Sequence, residues 1–165
     1  VYDLVSGYGD GTFRPDNTVT RAEFAAMLAA ALNLSGGGTS AFTDVSAGAW
    51  YAGSVSAMAA KGFLAGYEDG TFRPDNTITY QEMVTVLSSV AAWCLLEGDE
   101  LRDTELSAND WAIYYDWADW AQIPARNLVG LGVSLDVDAY GAQGTRDEAA
   151  GLLCQLMKSL HLLWD

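Results

Sequence analysis

The chain has 165 residues, half of them apolar, which is enough material to bury one substantial core. Its 22 acidic residues outnumber 8 basic ones and give a net charge of -14, so it lacks the excess of Lys and Arg on which nucleic-acid binding depends. We therefore expect no nucleic-acid partner. No stretch has the length of a membrane span or the pattern of a signal peptide, so we expect no membrane insertion.

Metal and thiol chemistry find little support in the sequence. The two cysteines, Cys94 and Cys154, and the single histidine, His161, lack the spacing of a zinc site, so we expect no metal and no cofactor. Both cysteines are interpreted as small core residues on apolar helix faces. A disulfide between them is left open, because sequence does not show whether they meet.

An internal repeat organises the chain. Residues 7–23 read GYGDGTFRPDNTVTRAE and residues 66–82 read GYEDGTFRPDNTITYQE, and 13 of these 17 positions are identical. A third copy is recognised at Thr145-Arg146-Asp147-Glu148, although its upstream loop has lost the DGTFRPD motif. We therefore expect one domain over residues 1–165 that contains three repeats, at 1–35, 41–96 and 101–163.

Repeat 1 opens with the GYGDGTFRPDNT loop, in which Asp-Gly predicts a tight turn and Pro15 keeps the chain out of a helix. A helix is expected after Thr20, with an apolar stripe at Phe24, Met27, Leu28 and Ala31. The aromatic helix that precedes the loop in repeat 2 has no counterpart here. Either another chain or a missing N-terminal segment is expected to cover the apolar surface left behind.

Repeat 2 shows the full pattern of helix, loop and helix. Trp50, Val55 and Met58 fall close to helical spacing, and Lys61-Gly62 supplies a basic last turn and a glycine stop. The loop occupies residues 63–76. The second helix is expected after Thr79, with its stripe at Met83, Val86, Leu87, Val90 and Cys94.

Repeat 3 is degenerate. It keeps Leu101-Arg102-Asp103, Trp111 and the block at 145–148, and its last helix carries a stripe at Leu153, Leu156, Met157 and Leu160. The three stripes predict a mainly α-helical fold with a shared core.

Three capping boxes open the second helices. In each, a Thr hydroxyl accepts a hydrogen bond from the backbone N–H three residues on, while a Glu reaches back to the Thr N–H. The pairs are Thr20 with Glu23, Thr79 with Glu82, and Thr145 with Glu148. These glutamates thereby have a structural explanation, and the sequence offers no activated nucleophile, so we expect no enzyme.

Taken together, the FTDV and WY blocks at 42–51, the GYxDGTFRPD loops and the TRAE block at 20–23 resemble the S-layer homology family. The resemblance implies helix-loop-helix repeats arranged as a pseudo-trimer around a helical core. It also implies a non-catalytic module that binds an anionic, pyruvylated secondary cell-wall polysaccharide in grooves between repeats, at the cell wall or S-layer of a bacterium. The alternative is a protein-interaction or assembly module on a degenerate scaffold.

Arg21 and Arg146 are the leading ligand-binding candidates. Each follows an N-cap, beside backbone N–H groups expected to be free and the positive end of a helix dipole, where a cation costs about 0.3–1 kcal/mol. An acidic sugar substituent would explain the arginine, and the competing interpretation is a surface Arg paired with an acid. In repeat 2 the equivalent position is Tyr80, so the basic residue that would bind an anion is absent there.

Further candidates are aromatic or basic. Trp50 and Trp111 offer flat faces for sugar rings, with packing in the core or between repeats as the alternative. Lys61 is explained by its position at a helix C-terminus, and a contact with the ligand is the second interpretation. Arg14 and Arg73 are expected to stabilise their loops by pairing with Asp16 and Asp75, two residues further on.

Overall fold

The computed structural model describes residues 7–37, 41–96 and 116–160. Regular structure in these ranges consists of helices, and β pairing there is limited to three isolated bridges. The helices are α1 (Arg21–Ala31), α2 (Ala52–Ala60), α3 (Tyr80–Leu96), α4 (Asp119–Gly130), the short 3-10 helix Val137–Ala139, and α5 (Arg146–Ser159). The predicted mainly α-helical fold is confirmed. None of the helices in the described part of the chain is both long and apolar enough to cross a membrane.

The chain divides into two compact units. The first comprises residues 1–78 and 145–147, and the second comprises residues 79–144 and 148–165. In the first unit α1 packs against α2, and in the second α3 packs against α4. The single domain and its repeat boundaries stay predictions.

The predicted apolar stripes form the cores of these units. Members fully buried in the first unit include Phe24, Leu28, Val55 and Met58, and those in the second unit include Met83, Leu87, Val90, Leu153 and Leu156. Ala31, Cys94 and Cys154 are only half-buried, so their assignment to the core is only partly correct. No disulfide joins the two cysteines.

Helix starts follow the predicted capping boxes. The Glu23 N–H donates to Thr20 Oγ1 at 3.2 Å, and the Thr20 N–H donates to Glu23 Oε2 at 2.9 Å. The same pair of bonds joins Glu82 and Thr79, at 3.3 and 2.8 Å. Both boxes are confirmed, and α5 begins directly after Thr145, where the third was expected.

Helix α2 ends at the predicted glycine. Gly62 has φ +73°, a conformation that glycine adopts without steric cost. The Phe63 N–H donates to the Met58 carbonyl and the Gly62 N–H donates to that of Ala59, which is the Schellman arrangement. Helix α4 ends in the same way at Gly132, with φ +86°. These ends fix where the following loops begin.

Candidate ligand-binding site

Two loops of matching sequence, which we call DG loop 1 (residues 7–17) and DG loop 2 (residues 66–76), have matching internal geometry. In DG loop 1 the backbone N–H and the hydroxyl of Thr12 donate to Asp10 Oδ1 at 3.0 and 2.7 Å. In DG loop 2 Thr71 makes the same two bonds to Asp69 at 3.0 and 2.6 Å. The repeated sequence therefore produces a repeated, internally bonded loop.

The arginine of each DG loop pairs with an acid of its own loop, but not with the one expected. Arg14 contacts Asp10 at 2.6 Å and Arg73 contacts Asp69 at 3.0 Å, four residues earlier rather than two residues later. Both arginines have positive φ, 53° and 57°, a turned conformation that sequence did not reveal. The loop-stabilising interpretation holds, and the predicted partners were wrong.

These contacts shift the acidity of the loop carboxyls. Hydrogen bonds from the Thr71 side chain and then from Arg73 lower the pKa of Asp69 to about 2, from an ordinary value of 3.8. The hydrogen bonds from Thr12, followed by that from Arg14, lower the pKa of Asp10. Hydrogen bonds to a carboxylate favour its charged form, so both loops keep a fixed negative charge beside each arginine.

Arg21 lies against DG loop 2 and is 6% exposed. Its Nε donates to the Phe72 carbonyl at 3.0 Å and its Nη2 donates to the Ala65 carbonyl at 2.8 Å. The guanidinium carbon lies 5.2 Å from the centre of the Tyr67 ring and 4.7 Å from that of Phe72. The side chain is thus held by carbonyl oxygens and aromatic rings and is not a surface arginine.

Arg146 repeats this arrangement on DG loop 1, with 5% exposure. Its Nε donates to the Phe13 carbonyl at 2.9 Å, and its guanidinium carbon lies 4.6 Å from the centre of the Tyr8 ring. A carboxylate also lies near Arg146, because Nη1 is 3.8 Å from Glu23 Oε1. The two arginines predicted from the repeat therefore occupy equivalent, buried places.

The backbone N–H groups at these helix starts are already bonded, which corrects the expectation that they are free. The Arg21 N–H donates to the Asn76 carbonyl at 2.8 Å and the Ala22 N–H donates to the Pro74 carbonyl at 3.1 Å. At α5 the corresponding bonds run from the N–H groups of Arg146 and Asp147 to the carbonyls of Asn17 and Pro15. A ligand at these helix starts would therefore meet the arginine side chain and not unpaired backbone donors.

Each tyrosine of a DG loop contacts two guanidinium groups. The Tyr67 ring centre lies 3.7 Å from the Arg73 guanidinium carbon, and Arg21 reaches the same ring from the helix start. Arg14 and Arg146 contact Tyr8 at 4.4 and 4.6 Å. We call these two groups of residues the Arg-Tyr-Arg clusters. Each combines a buried arginine with a half-exposed one that is paired with an aspartate of its own loop.

Of the other predicted contact residues, Trp50 and Lys61 lie in the described part of the chain, and both are on the surface. Trp50 is 70% exposed and packs edge-on against Tyr51 with 5.3 Å between ring centres, so its alternative interpretation as a core residue was wrong. Lys61 is exposed and caps the C-terminal end of α2. Trp111 lies outside the described residues.

Sequence reasoning missed Trp120, which corresponds to Trp50 in its sequence distance from a helix-ending glycine. Each tryptophan lies twelve residues before the glycine that ends its helix, Gly62 for α2 and Gly132 for α4. Trp120 is 54% exposed. Counting back from the glycine stop would have found it, whereas the search for a WY pair did not.

Asp44 is a second residue that sequence reasoning did not single out. Its Oδ1 accepts the Phe72 N–H at 2.8 Å and its Oδ2 accepts the Arg73 N–H at 2.7 Å. The carboxylate therefore fixes the part of DG loop 2 whose carbonyl receives Arg21. No group of side chains able to hold a metal ion occurs in the described residues.

Comparison with known proteins agrees with the repeat pattern. The model of the S-layer homology domain matches residues 2–25 and 41–84. Through these two segments the chain belongs to the S-layer homology family. The third repeat lies outside the matched segments.

Relatives of the chain are large proteins. A surface layer protein of Brevibacillus choshinensis is 40% identical over 89 residues, which is 51% of this chain and 8% of the relative. A cellulosome-anchoring protein of Acetivibrio thermocellus is 37% identical over 122 residues, 71% of this chain and 27% of the relative. An amylopullulanase of Thermoanaerobacterium thermosulfurigenes is 32% identical over 161 residues, 94% of this chain and 8% of the relative. The chain thus spans between 8% and 27% of the length of these relatives.

Proposed function

We propose that this chain is a non-catalytic module that holds a larger protein at a bacterial cell wall by binding an anionic, pyruvylated secondary cell-wall polysaccharide. Family membership supports the anchoring role, since the related proteins include a surface layer protein and a cellulosome-anchoring protein. The chain resembles the amylopullulanase over only 8% of that enzyme, so the likeness brings no catalytic role with it. The proposed location is extracellular, on the wall or in its surface layer.

The observation that carries the proposal is the pair of Arg-Tyr-Arg clusters. A buried guanidinium interacts with a carboxylate more strongly than an exposed one, because less water screens the two charges. In each cluster the half-exposed arginine and the tyrosine ring lie at the surface beside the buried arginine. An acidic sugar substituent held there would make charge-assisted hydrogen bonds, while the sugar ring packs on an aromatic face.

Trp50 and Lys61 complete the proposed site. Both are exposed and flank α2, Trp50 two residues before it and Lys61 at its end. The tryptophan offers a flat apolar face and the lysine a positive charge. In this proposal they make secondary contacts to the polymer, and the exposed Trp120 makes a similar contact from α4.

A second candidate function is a protein-interaction module on the same scaffold. Trp120 and Ile123 favour it, because these apolar side chains lie one turn apart on α4 and are both exposed. Exposed apolar pairs of this kind are found where proteins meet. Binding to walls that does not depend on the acidic polymer would favour this candidate.

Sedimentation with purified bacterial walls tests the proposal. Three wall samples are compared: untreated, treated with mild acid to remove pyruvate ketals, and treated with hydrofluoric acid to remove the secondary polymer. The parent chain is expected to sediment with untreated walls and to stay in solution with both treated samples. Equal sedimentation with all three would contradict the proposal.

A further inference from the structure

Three helix starts in this chain make the same backbone contact with a loop. The N–H of the first helical residue donates to a loop carbonyl at 2.8 to 3.0 Å in each case. The pairs are Arg21 with Asn76, Arg146 with Asn17, and Tyr80 with Ala142. An isolated β-bridge accompanies each pair, namely Thr20 with Thr77, Thr18 with Thr145, and Thr79 with Gln143. We call these three places junctions, and by backbone geometry they are equivalent.

The side chain at the third junction is neutral and buried. Tyr80 takes the place of the arginine and is 2% exposed. Its hydroxyl oxygen accepts the Asp136 N–H at 2.9 Å, and its ring packs edge-on against Trp117 with 6.1 Å between centres. Trp117 is itself buried, and its Nε1 donates to the Val137 carbonyl at 3.1 Å. The protein's own aromatic rings therefore fill this junction.

Hydrogen-bond polarity at the third junction is the reverse of that at the other two. Arg21 and Arg146 donate to loop carbonyls, whereas Tyr80 accepts from a loop N–H. The loop at residues 132–144 also differs in charge, because it holds two aspartates and no basic residue, while each DG loop has an arginine. An anionic group held against this loop would meet its two aspartates and no basic side chain of the loop itself.

We propose that Tyr80 determines specificity by closing the third junction to acidic sugar substituents, so that each chain binds two such substituents and not three. This inference rests on the proposed function and adds the number and location of its sites. The other two junctions have a charged arginine at this position, which an anionic ligand could neutralise. Tyr80 has instead a neutral side chain whose hydrogen bond and ring contact lie within the protein. The third junction then contributes stability alone.

Equilibrium dialysis of the whole chain against a labelled methyl glycoside carrying a 4,6-pyruvate ketal counts the sites directly. The matching 4,6-isopropylidene glycoside, in which a methyl group replaces the carboxylate, serves as the uncharged control. At saturation we expect two molecules of the acidic glycoside bound per chain, and none of the control. Three bound per chain, or one, would overturn the inference while leaving the proposed function standing. Absence of saturable binding would overturn both.

A Tyr80→Phe variant tests the assigned role separately. It removes the hydroxyl that accepts the Asp136 N–H, so the melting temperature is expected to fall while two acidic glycosides still bind. Tyr140→Phe, an exposed change in the same loop, is the control and should leave both values unchanged. A loss of bound glycoside in Tyr80→Phe would show that Tyr80 contacts the ligand and would overturn the inference.

Discussion

At the scale of single residues, the two buried arginines have a structural explanation as well as a functional one. A cation at a helix N-terminus costs about 0.3–1 kcal/mol. A hydrogen bond to a charged group contributes about 1.5–3 kcal/mol, and Arg21 makes two to carbonyl oxygens. The hydrogen bonds outweigh the dipole, so an arginine at this position is stable without a ligand. Sequence could not show this, because the accepting carbonyls lie more than forty residues away in the chain.

Replacement of Arg21 by glutamine should therefore destabilise the fold. Replacement of an exposed ligand-binding residue would leave the stability nearly unchanged. Loss of the bond to the buried Phe72 carbonyl predicts a fall of about 1.5–3 kcal/mol in the free energy of unfolding. Urea denaturation measures it. Lys158→Gln removes the same charge from an exposed position and is expected to change stability by less than about 0.5 kcal/mol. Equal stability of the two variants would contradict the structural role of Arg21.

The acidity of Asp69 provides a test of DG loop 2. Its pKa is about 2, below the ordinary value of 3.8, so its bonds stabilise the folded state above pH 3.8 and this contribution is lost as the pH falls toward 2. Arg73→Gln should raise the pKa of Asp69, as followed by carboxyl carbon chemical shifts in an NMR titration. Asp10 in the same sample is the internal control, since its partner Arg14 is unchanged. An unaltered Asp69 titration would show that Arg73 does not act on it.

At the scale of elements, the start of α3 can be tested by its cap. Thr79→Ala removes the acceptor for the Glu82 N–H and should lower the free energy of unfolding by about 1 kcal/mol. Ser89→Ala also removes a hydroxyl from α3, but one on an exposed face that donates to the Thr85 carbonyl, and should have little effect. Thermal melts of the two variants decide the matter. A Thr79 variant as stable as the parent would count against the capping box.

The end of α2 depends on the left-handed conformation of Gly62. Gly62→Ala places a side chain at φ +73° and should cost about 1–2 kcal/mol. Gly48→Ala is the control, because a β-carbon meets no atom within 4 Å at either glycine and Gly48 has no positive φ. Calorimetric melts should separate the two variants by several degrees. Coincident melts would mean that α2 ends by another means.

Local signals explain which elements sequence could predict. Capping boxes, glycine stops and apolar stripes are encoded within a few residues, and α1, α2, α3 and α5 begin or end where these signals lie. Helix α4 contains Pro124 and lacks a side-chain hydrogen bond at its N-cap, so its start at Asp119 carried no comparable signal. Bonds between a helix start and a loop of another repeat depend on tertiary structure. The burial of Arg21 and Arg146 therefore could not be predicted.

At the scale of the whole molecule, a chain of net charge -14 is proposed to bind a polyanion. Long-range repulsion between the two is screened by salt, whereas contacts at buried arginines are screened less. Affinity for the polymer should therefore stay level or rise between 50 and 200 mM NaCl, measured by sedimentation at several protein concentrations. A fall of tenfold or more would contradict a dominant role of the buried arginines and would indicate that exposed basic residues supply most of the affinity.

The role of acidic substituents is tested most directly by calorimetric titration of the parent chain with purified wall polymer before and after removal of its pyruvate ketals. A charge-assisted hydrogen bond of about 1.5–3 kcal/mol corresponds to a loss of roughly 10- to 150-fold in affinity when the carboxylate is removed. The account predicts a loss of at least this size, together with unchanged melting of the unliganded protein. Equal affinity for the two polymer samples would contradict it.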